Sequence, residues 1–289
     1  MSASRQLREW PPISDPDVRN WMALTDDEWL PALMARVSKF EKPLFTEAAY
    51  QFGLAYPWDR PAGSYLLRDG EVRPIGDVDL KAFTADRHPL VTFGANGAPH
   101  RLIERFGGFP ERADREVLVL TGHLHDFDVG ANIVPVPYGA VPAILFASPG
   151  TAVRAAVLWL TPLQVETLVF AELGYRLGRL DHAQFEIDDV DVTIDVVFAF
   201  IGRTGALRLD GEPVALAAVQ ARDRGSRAMT QEELLHALGV LAFGPGTTAN
   251  DIARRCFEDH DSVVRALLPL TAPTALQLSA ERWTPYPST

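Results

Sequence analysis

Apolar residues recur at the spacing of an amphipathic helix near both ends of the chain. Thr25 and Glu28 stand three positions apart ahead of the first apolar run, and Thr230 and Glu233 do so ahead of the second. This spacing is typical of a capping box, which begins a helix. The apolar positions are Trp29, Leu30, Leu33, Met34 and Val37 in the first run, and Leu234, Leu235, Leu238 and Leu241 in the second. The pattern predicts helices there, and further helices over 44–52 and 250–258.

The middle of the chain has the period of β-strands instead. Asp69-Gly70 and Asp210-Gly211 each predict a hairpin turn between two apolar runs. We predict strands over 64–68, 72–75, 89–95, 116–121, 126–134, 140–146, 151–160, 190–201, 206–209 and 214–219, with helices over 99–106 and 162–173. This β-rich α+β pattern of many short strands favours a curved or closed sheet over alternating βαβ units.

These patterns divide the chain into three predicted parts. A helical N-terminal extension covers residues 1–60, a β-rich core covers 61–220, and a helical C-terminal extension covers 221–289. The first boundary follows the linker at 56–63, which contains two prolines and a glycine.

Charge and cysteine content exclude several classes of function. The 289 residues carry a formal net charge of −11 without any basic run, so nucleic acids and anionic membranes are poor partners. The single cysteine, Cys256, excludes an intramolecular disulfide and a multi-cysteine metal cluster. Met1–Trp10 lacks the apolar core of a signal peptide, and no apolar run approaches the ~20 residues of a membrane span. We therefore expect a soluble cytoplasmic protein, and the sequence leaves its oligomeric state open.

A loop of small residues after the strand predicted at 89–95 is the first candidate site. Phe93-Gly94-Ala95-Asn96 leads through Gly97 to Pro99, a residue favoured at the first position of a helix. The free backbone N–H groups at such a helix start can bind an anion. The alternative is an ordinary strand–turn–helix corner, since neither a phosphate-binding Gly-Lys-Ser/Thr motif nor a complete dinucleotide fingerprint is present.

Glu172 is the second candidate. Thr161, Pro162 and Gln164 predict a capped helix start, and Gly174 predicts its end. Within that helix Glu172 continues the apolar stripe of Val165, Leu168 and Val169, whereas Glu166 lies off the stripe and is expected to be solvated. Burial disfavours the charged form of a carboxyl group, which suits a general acid/base. The alternative is a helix-end glutamate that reaches solvent.

The two features, in this order, resemble the γ-glutamylcyclotransferase-like superfamily. Phe93-Gly94-Ala95-Asn96 resembles the Tyr-Gly-Ser-Asn loop of that family. Its later pattern is a Pro-Gly turn, a strand, a Leu-Thr-Pro-x-Gln helix start, an acidic residue and a tyrosine. The matching positions here are Pro149-Gly150, Leu160-Thr161-Pro162-Leu163-Gln164, Glu172 and Tyr175. The resemblance covers residues 89–205 and leaves both ends of the chain outside it.

The resemblance implies a small β-barrel with flanking helices and a cavity for a γ-glutamyl group. Family enzymes, which are lyases or acyltransferases, let the α-amine of the substrate attack its own γ-carbonyl, releasing 5-oxoproline and an amine without a metal or cofactor. By this resemblance Glu172 is the general acid/base, and Phe93, Gly94, Ala95, Asn96 and Tyr175 bind the substrate. Two family hydroxyls are absent, because Phe93 replaces the tyrosine and Ala95 the serine.

Competing interpretations use other residues. His123 and His125 with Asp126 and Asp128 suggest a metal cluster, although a polar strand face explains them better and we predict no metal. Cys256 and His260 lie four apart and suggest a nucleophile pair, although the alternative is a small core cysteine. Four N-terminal tryptophans form either a partner surface or an anchor to the chain's own core: Trp10, Trp21, Trp29 and Trp58. The alternatives to an enzyme are therefore a non-catalytic small-molecule-binding protein and an interaction protein on the same fold.

Overall fold

A computed structural model describes residues 9–39, 44–76, 78–190, 192, 194 and 196–287. Its helices are α1 Pro16–Ala23, α2 Asp26–Val37, α3 Glu47–Leu54, α4 Leu80–Thr84, α5 Pro99–Phe106, α6 Arg112–Arg115, α7 Pro162–Ala171, α8 Gln231–Phe243 and α9 Ala249–Thr271. Its strands are β1 Tyr65–Arg68, β2 Glu71–Pro74, β3 His88–Thr92, β4 Val117–Ala131, β5 Ala143–Leu160, β6 Tyr175–Leu180, β7 Phe185–Ile187, β8 Val197–Gly202, β9 Arg208–Leu209, β10 Glu212–Leu216, β11 Ala221–Arg222, β12 Arg227–Met229 and β13 Trp283–Pro285.

The predicted α+β class is confirmed, and its centre is one large sheet. The strand order is β12-β10-β4-β5-β3-β8-β6-β13, with the five short strands attached beside this path. Most neighbours are antiparallel, whereas β3 with β8 and β10 with β12 are parallel. No pairing among the described residues joins β12 to β13, so the sheet is open. The closed barrel that the sequence suggested is therefore not confirmed.

Two pairs of strands that were predicted separately are continuous in the structure: 116–121 and 126–134 join in β4, and 140–146 and 151–160 join in β5. They were predicted as separate strands because a local irregularity within each long strand looks like a turn in the sequence. In β4, Asp126 has a positive φ of 62° and the pairing register with β5 shifts between His125 and Phe127. Pro149-Gly150, predicted as a turn, lies inside β5 instead, and the Gly150 N–H donates to Asp126 Oδ1 at 2.8 Å. A bulge of this kind bends a strand and increases its twist without ending it.

The predicted helix starts are confirmed by their caps. Thr25, Thr161 and Thr230 each form a complete capping box with the residue three positions later. The helix predicted over 44–52 begins later, at Glu47, because the side chain of Thr46 caps it. Asp259 leaves helical geometry where the prediction ended the last helix, and the chain then resumes the helix to Thr271. Residues 191, 193 and 195 of the strand predicted at 190–201 lie outside the described residues.

The long strand β5 buries both of its faces. Val157 and Trp159 belong to a cluster that includes residues of α8 and α9, whereas Leu158 and Leu160 belong to a second cluster with residues of α5 and α7. This alternation is the period of two expected of a strand. Helices α5 and α7 therefore add to a different apolar cluster from α8 and α9. None of the described helices is both long and apolar enough to cross a lipid bilayer.

Candidate functional site

A cavity of about 430 Å³ lies at the C-terminal end of α7. Its volume is within the range of small-molecule binding sites. The loop after β3, one side of α5, the apolar side of α2 and the C-terminal half of α9 all contribute to its wall. The six site residues that the sequence and the resemblance indicated all line it, namely Phe93, Gly94, Ala95, Asn96, Glu172 and Tyr175.

Glu172 is the C-cap of α7, and its carboxylate is held at the cavity. Its backbone leaves the helix with φ −99° and ψ 54°, and its side chain is 18% exposed. Oε1 accepts hydrogen bonds from Asn96 Nδ2 at 3.0 Å and from Arg105 Nη2 at 3.3 Å. Oε2 accepts none from the described residues. One oxygen is thus fixed by two donors, and the other is available to a ligand.

The burial of Glu166, six positions before Glu172, corrects the prediction that this residue is solvated. Glu166, expected to be solvated, is only 8% exposed. Its Oε1 accepts from Ser14 Oγ at 2.8 Å and from the Asp15 N–H at 3.2 Å, at the start of α1. The segment ahead of α1 covers this face of α7. The sequence could not show this, because the contacting residues are about 150 positions apart.

The loop after β3 uses several of its own N–H groups. A 3₁₀ turn over Ala95–Gly97 is closed by the N–H groups of Gly97 and Ala98, which donate to Gly94 O at 3.2 Å and Ala95 O at 3.0 Å. The Tyr56 hydroxyl also lies against this loop, since a Cβ at Gly94 would be 2.8 Å from its oxygen. The anion site expected at this helix start therefore has fewer backbone donors than the loop sequence suggests. Positive charge comes instead from the side chains of α5.

The phenols of Tyr56, which is buried, and Tyr175, which is partly buried, hold a wall of the cavity through the backbone of Ala143. The Ala143 N–H donates to Tyr56 Oη at 2.9 Å, and Tyr175 Oη donates to Ala143 O at 2.6 Å. Burial raises the pKa of Tyr56 to about 12 and the pKa of Tyr175 well above its ordinary value, so both remain neutral phenols near neutral pH. The hydroxyl of Tyr175 is thus engaged in holding β5, although its ring lines the cavity.

The cations of the site were not among the residues that the sequence predicted. Arg101 and Arg105 lie one helical turn apart on α5, and both line the cavity. Burial lowers the pKa of Arg105, while the Glu172 carboxylate opposes that shift. Arg105 Nε and Asn96 Oδ1 are buried without a hydrogen-bond partner among the described residues. Unpaired buried groups of this kind cost free energy until a ligand or water pairs with them. The i, i+4 spacing of these two arginines, which places them on one side of a helix, is the feature of the sequence that could have indicated a cationic site.

The histidine and aspartate residues over 123–128, for which a metal cluster was the less favoured interpretation, pair with different residues of the fold. His123 Nδ1 lies 3.3 Å from Asp188 Oδ1, and His125 Nε2 lies 3.0 Å from Glu186 Oε2. Asp128 is fully buried and pairs with Arg224. Across the described ranges, no group of three or more His, Cys, Asp or Glu residues is placed to hold a metal ion.

Cys256 occupies the core position that its helical phase indicated. Its side chain is buried, and burial raises the pKa of the thiol to about 12. Because the thiolate is the reactive form, the native protein should resist alkylation by iodoacetamide at pH 8, whereas protein unfolded in urea should react. Mass spectrometry of both samples measures this difference. Equal labelling of the native and unfolded protein would show that the thiol is accessible and ionised.

The N-terminal tryptophans contact the chain itself. Trp29 Nε1 donates to the carbonyl oxygen of Leu173 at 2.6 Å, which fixes α2 beside Glu172. Trp10 packs against Phe198 and Tyr286, with ring centroids 5.2 Å apart in each pair. The anchoring interpretation therefore describes these two residues. One consequence is that a helix outside the family resemblance forms part of the cavity wall.

Comparisons of the chain with protein-family models, with curated proteins and with solved structures each found no match. The interpretation of the site therefore rests on the resemblance of its motifs and on its own geometry.

Proposed function

We propose that this protein is a divergent γ-glutamylcyclotransferase-like enzyme that releases 5-oxoproline from a γ-glutamyl amine or peptide. The observation that carries the proposal is the Glu172 carboxylate at the cavity, with Oε1 held by Asn96 and Arg105 and with no donor to Oε2 among the described residues. The proposal assigns the family core to residues 61–220, in a sheet that is open here.

The proposed reaction transfers protons through one carboxylate. Glu172 Oε2 takes a proton from the α-ammonium of the substrate, and the freed amine attacks the γ-carbonyl carbon. The new C–N bond closes the five-membered ring as the carbonyl becomes an oxyanion. Collapse of the oxyanion breaks the original amide bond as Glu172 returns its proton to the departing nitrogen. The second proton of the ring nitrogen passes to the released amine, which leaves as an ammonium ion, and 5-oxoproline keeps one N–H. A single positioned carboxyl group can serve as base and then as acid.

The charges at the cavity suit a substrate with a free carboxylate. Among the described lining residues, two guanidinium groups, Arg101 and Arg105, accompany the one carboxylate of Glu172. Arg105 is paired with the partly buried Glu172, whereas the partner of Arg101 is the exposed carboxylate of Glu104. An exposed pair of this kind is weak, so we assign Arg101 to the α-carboxylate of the substrate. Positive charge beside the reacting carbonyl also stabilises the developing oxyanion.

The hydroxyls absent from the loop have a nearby substitute. Tyr56 belongs to the N-terminal extension, and a Cβ at Gly94 would lie 2.8 Å from its hydroxyl oxygen. Its phenol therefore contacts the loop at the point where Phe93 and Ala95 lack their family hydroxyls. We assign to Tyr56 the support of this loop, because its hydroxyl lies against Gly94 and accepts a hydrogen bond from the Ala143 N–H.

A second candidate function is non-catalytic binding of a γ-glutamyl-type small molecule in the same cavity. The observations that favour it are the loss of both loop hydroxyls, at Phe93 and Ala95, and the ion pair that already neutralises Glu172. Such a protein would bind the substrate class and release nothing.

The test is release of 5-oxoproline from γ-glutamyl peptides and γ-glutamyl amines, measured by chromatography. We expect turnover of at least one substrate, with one free amine formed per 5-oxoproline. Binding of these ligands without release of 5-oxoproline would contradict the enzyme and support the binding protein. The absence of both binding and release would exclude both functions.

A further inference from the structure

Helix α2 presents an apolar face to the cavity and not to the core alone. Four residues at helical spacing on this face line the cavity: Leu30, Leu33, Met34 and Val37. Each is only partly buried by the protein. The one basic residue in the last turn, Arg36, lies away from this face, over the rings of Trp21 and Phe170. A ligand can therefore cover side chains that the fold leaves partly exposed.

Other elements extend this apolar wall. Val264 and Leu268 of α9 line the same cavity, as do Val134 and Val136 of the segment between β4 and β5. The neighbouring His260 has its Nε2 at 2.9 Å from Pro135 O. The cavity thus combines the polar group around Glu172 with an apolar region built from parts of the chain outside the active loop.

The size of the cavity leaves room for more than a γ-glutamyl group. An engineered protein cavity of about 150 Å³ lined by apolar side chains is large enough for benzene. The cavity here has about 430 Å³. A polar γ-glutamyl group and an apolar group as large as a benzene ring can therefore be accommodated together.

We infer that the amine released from the substrate carries an uncharged apolar substituent, such as an alkyl or aryl group, which lies against Met34 and Val37 of α2. This inference rests on the proposed function, since it names the substrate class of the same site. A leaving group with its own carboxylate, as in a γ-glutamyl amino acid, would need a second cation. Arg105 is paired with Glu172, and Arg101 is assigned to the α-carboxylate. The described residues that line the cavity include no further Arg or Lys, so a second carboxylate beside α2 would lose hydration without gaining a cationic partner among them.

The test compares γ-glutamyl-ethylamide, γ-glutamyl-hexylamide and γ-glutamylglycine in the 5-oxoproline assay. We expect kcat/KM for the hexylamide to exceed that for the ethylamide by at least about tenfold, within the limit of roughly fourfold for each fully buried methylene. γ-Glutamylglycine should be the poorest of the three. Equal kcat/KM values for the three would overturn the inference and leave the proposed function standing.

Two double variants test whether the α2 wall causes the preference for an apolar leaving group. Met34→Gln/Val37→Thr makes the α2 wall polar at nearly constant volume and should reduce the hexylamide-to-ethylamide ratio by at least about threefold. The matched control Leu241→Gln/Val72→Thr makes the same kinds of change at residues 43% and 47% exposed, away from the cavity, and should keep the ratio. An unchanged ratio in the α2 variant would overturn the assignment.

Binding measurements distinguish a failure of this inference from a failure of the proposed function. If no substrate releases 5-oxoproline, the proposed function fails, and calorimetric titration of the wild-type protein with the two amides tests the apolar wall directly. A Kd at least about tenfold lower for the hexylamide, lost in the α2 variant, would uphold the apolar preference as a binding property. Equal Kd values, or no binding of either amide, would overturn it.

Discussion

Replacing Glu172 with glutamine is expected to lower kcat for 5-oxoproline release by roughly 10²–10⁴-fold, the usual contribution of a general acid/base. The amide oxygen of glutamine can still accept from Asn96 Nδ2 and Arg105 Nη2, so the side chain should keep its place. It cannot take the proton of the substrate ammonium or return one to the leaving amine. Substrate affinity should change far less than the rate.

The control for this variant is Glu232→Gln, the same change at an exposed position in the first turn of α8. It should retain the wild-type rate. Thermal unfolding of both variants establishes that each is folded before rates are compared. A Glu172→Gln protein that releases 5-oxoproline as fast as the wild type would remove the carboxylate from the mechanism.

The α7 region shows how much of the site local sequence can predict. The capping box of Thr161 and Gln164 set the start of the helix, and the apolar spacing set the buried positions before Glu172. Helix caps and periodicity depend on neighbours within a few residues, so they can be identified from sequence alone. The partners of Glu172 could not be, because Asn96 and Arg105 lie 76 and 67 positions away.

The sheet shows what local sequence cannot predict. The sequence predicted a break between strands just before Asp126 and a turn at Pro149-Gly150, yet β4 and β5 continue through both positions. The Gly150 N–H bonds to Asp126 Oδ1, so the two irregularities satisfy each other across the strand pair. Whether a glycine or aspartate ends a strand or bends it depends on the partner strand. For the same reason the individual strands could be predicted but not whether the sheet closes.

The second large effect is expected on stability, at Asp128. The sequence favoured a polar strand face for the histidine–aspartate segment, whereas Asp128 is buried. Its carboxylate is fully buried and accepts from Arg224 Nε at 2.9 Å, Arg224 Nη2 at 2.8 Å and Ser226 Oγ at 2.8 Å. The guanidinium is itself mostly buried, with 14% of its side chain exposed. The pair therefore links β4 to the segment between β11 and β12 and has a structural role.

Asp128→Ala is expected to lower the free energy of unfolding by about 3–5 kcal/mol, because it leaves the guanidinium of Arg224 and the hydroxyl of Ser226 without their acceptor. Urea unfolding followed by circular dichroism measures the loss. The double variant Asp128→Leu/Arg224→Met, which removes both charges, should recover much of it, since replacing a whole buried pair with apolar groups is often close to neutral. Glu71→Ala, which removes an exposed partner of Arg73, should have a much smaller effect. If Asp128→Ala changes stability no more than Glu71→Ala does, the buried pair does not hold these two parts of the chain together.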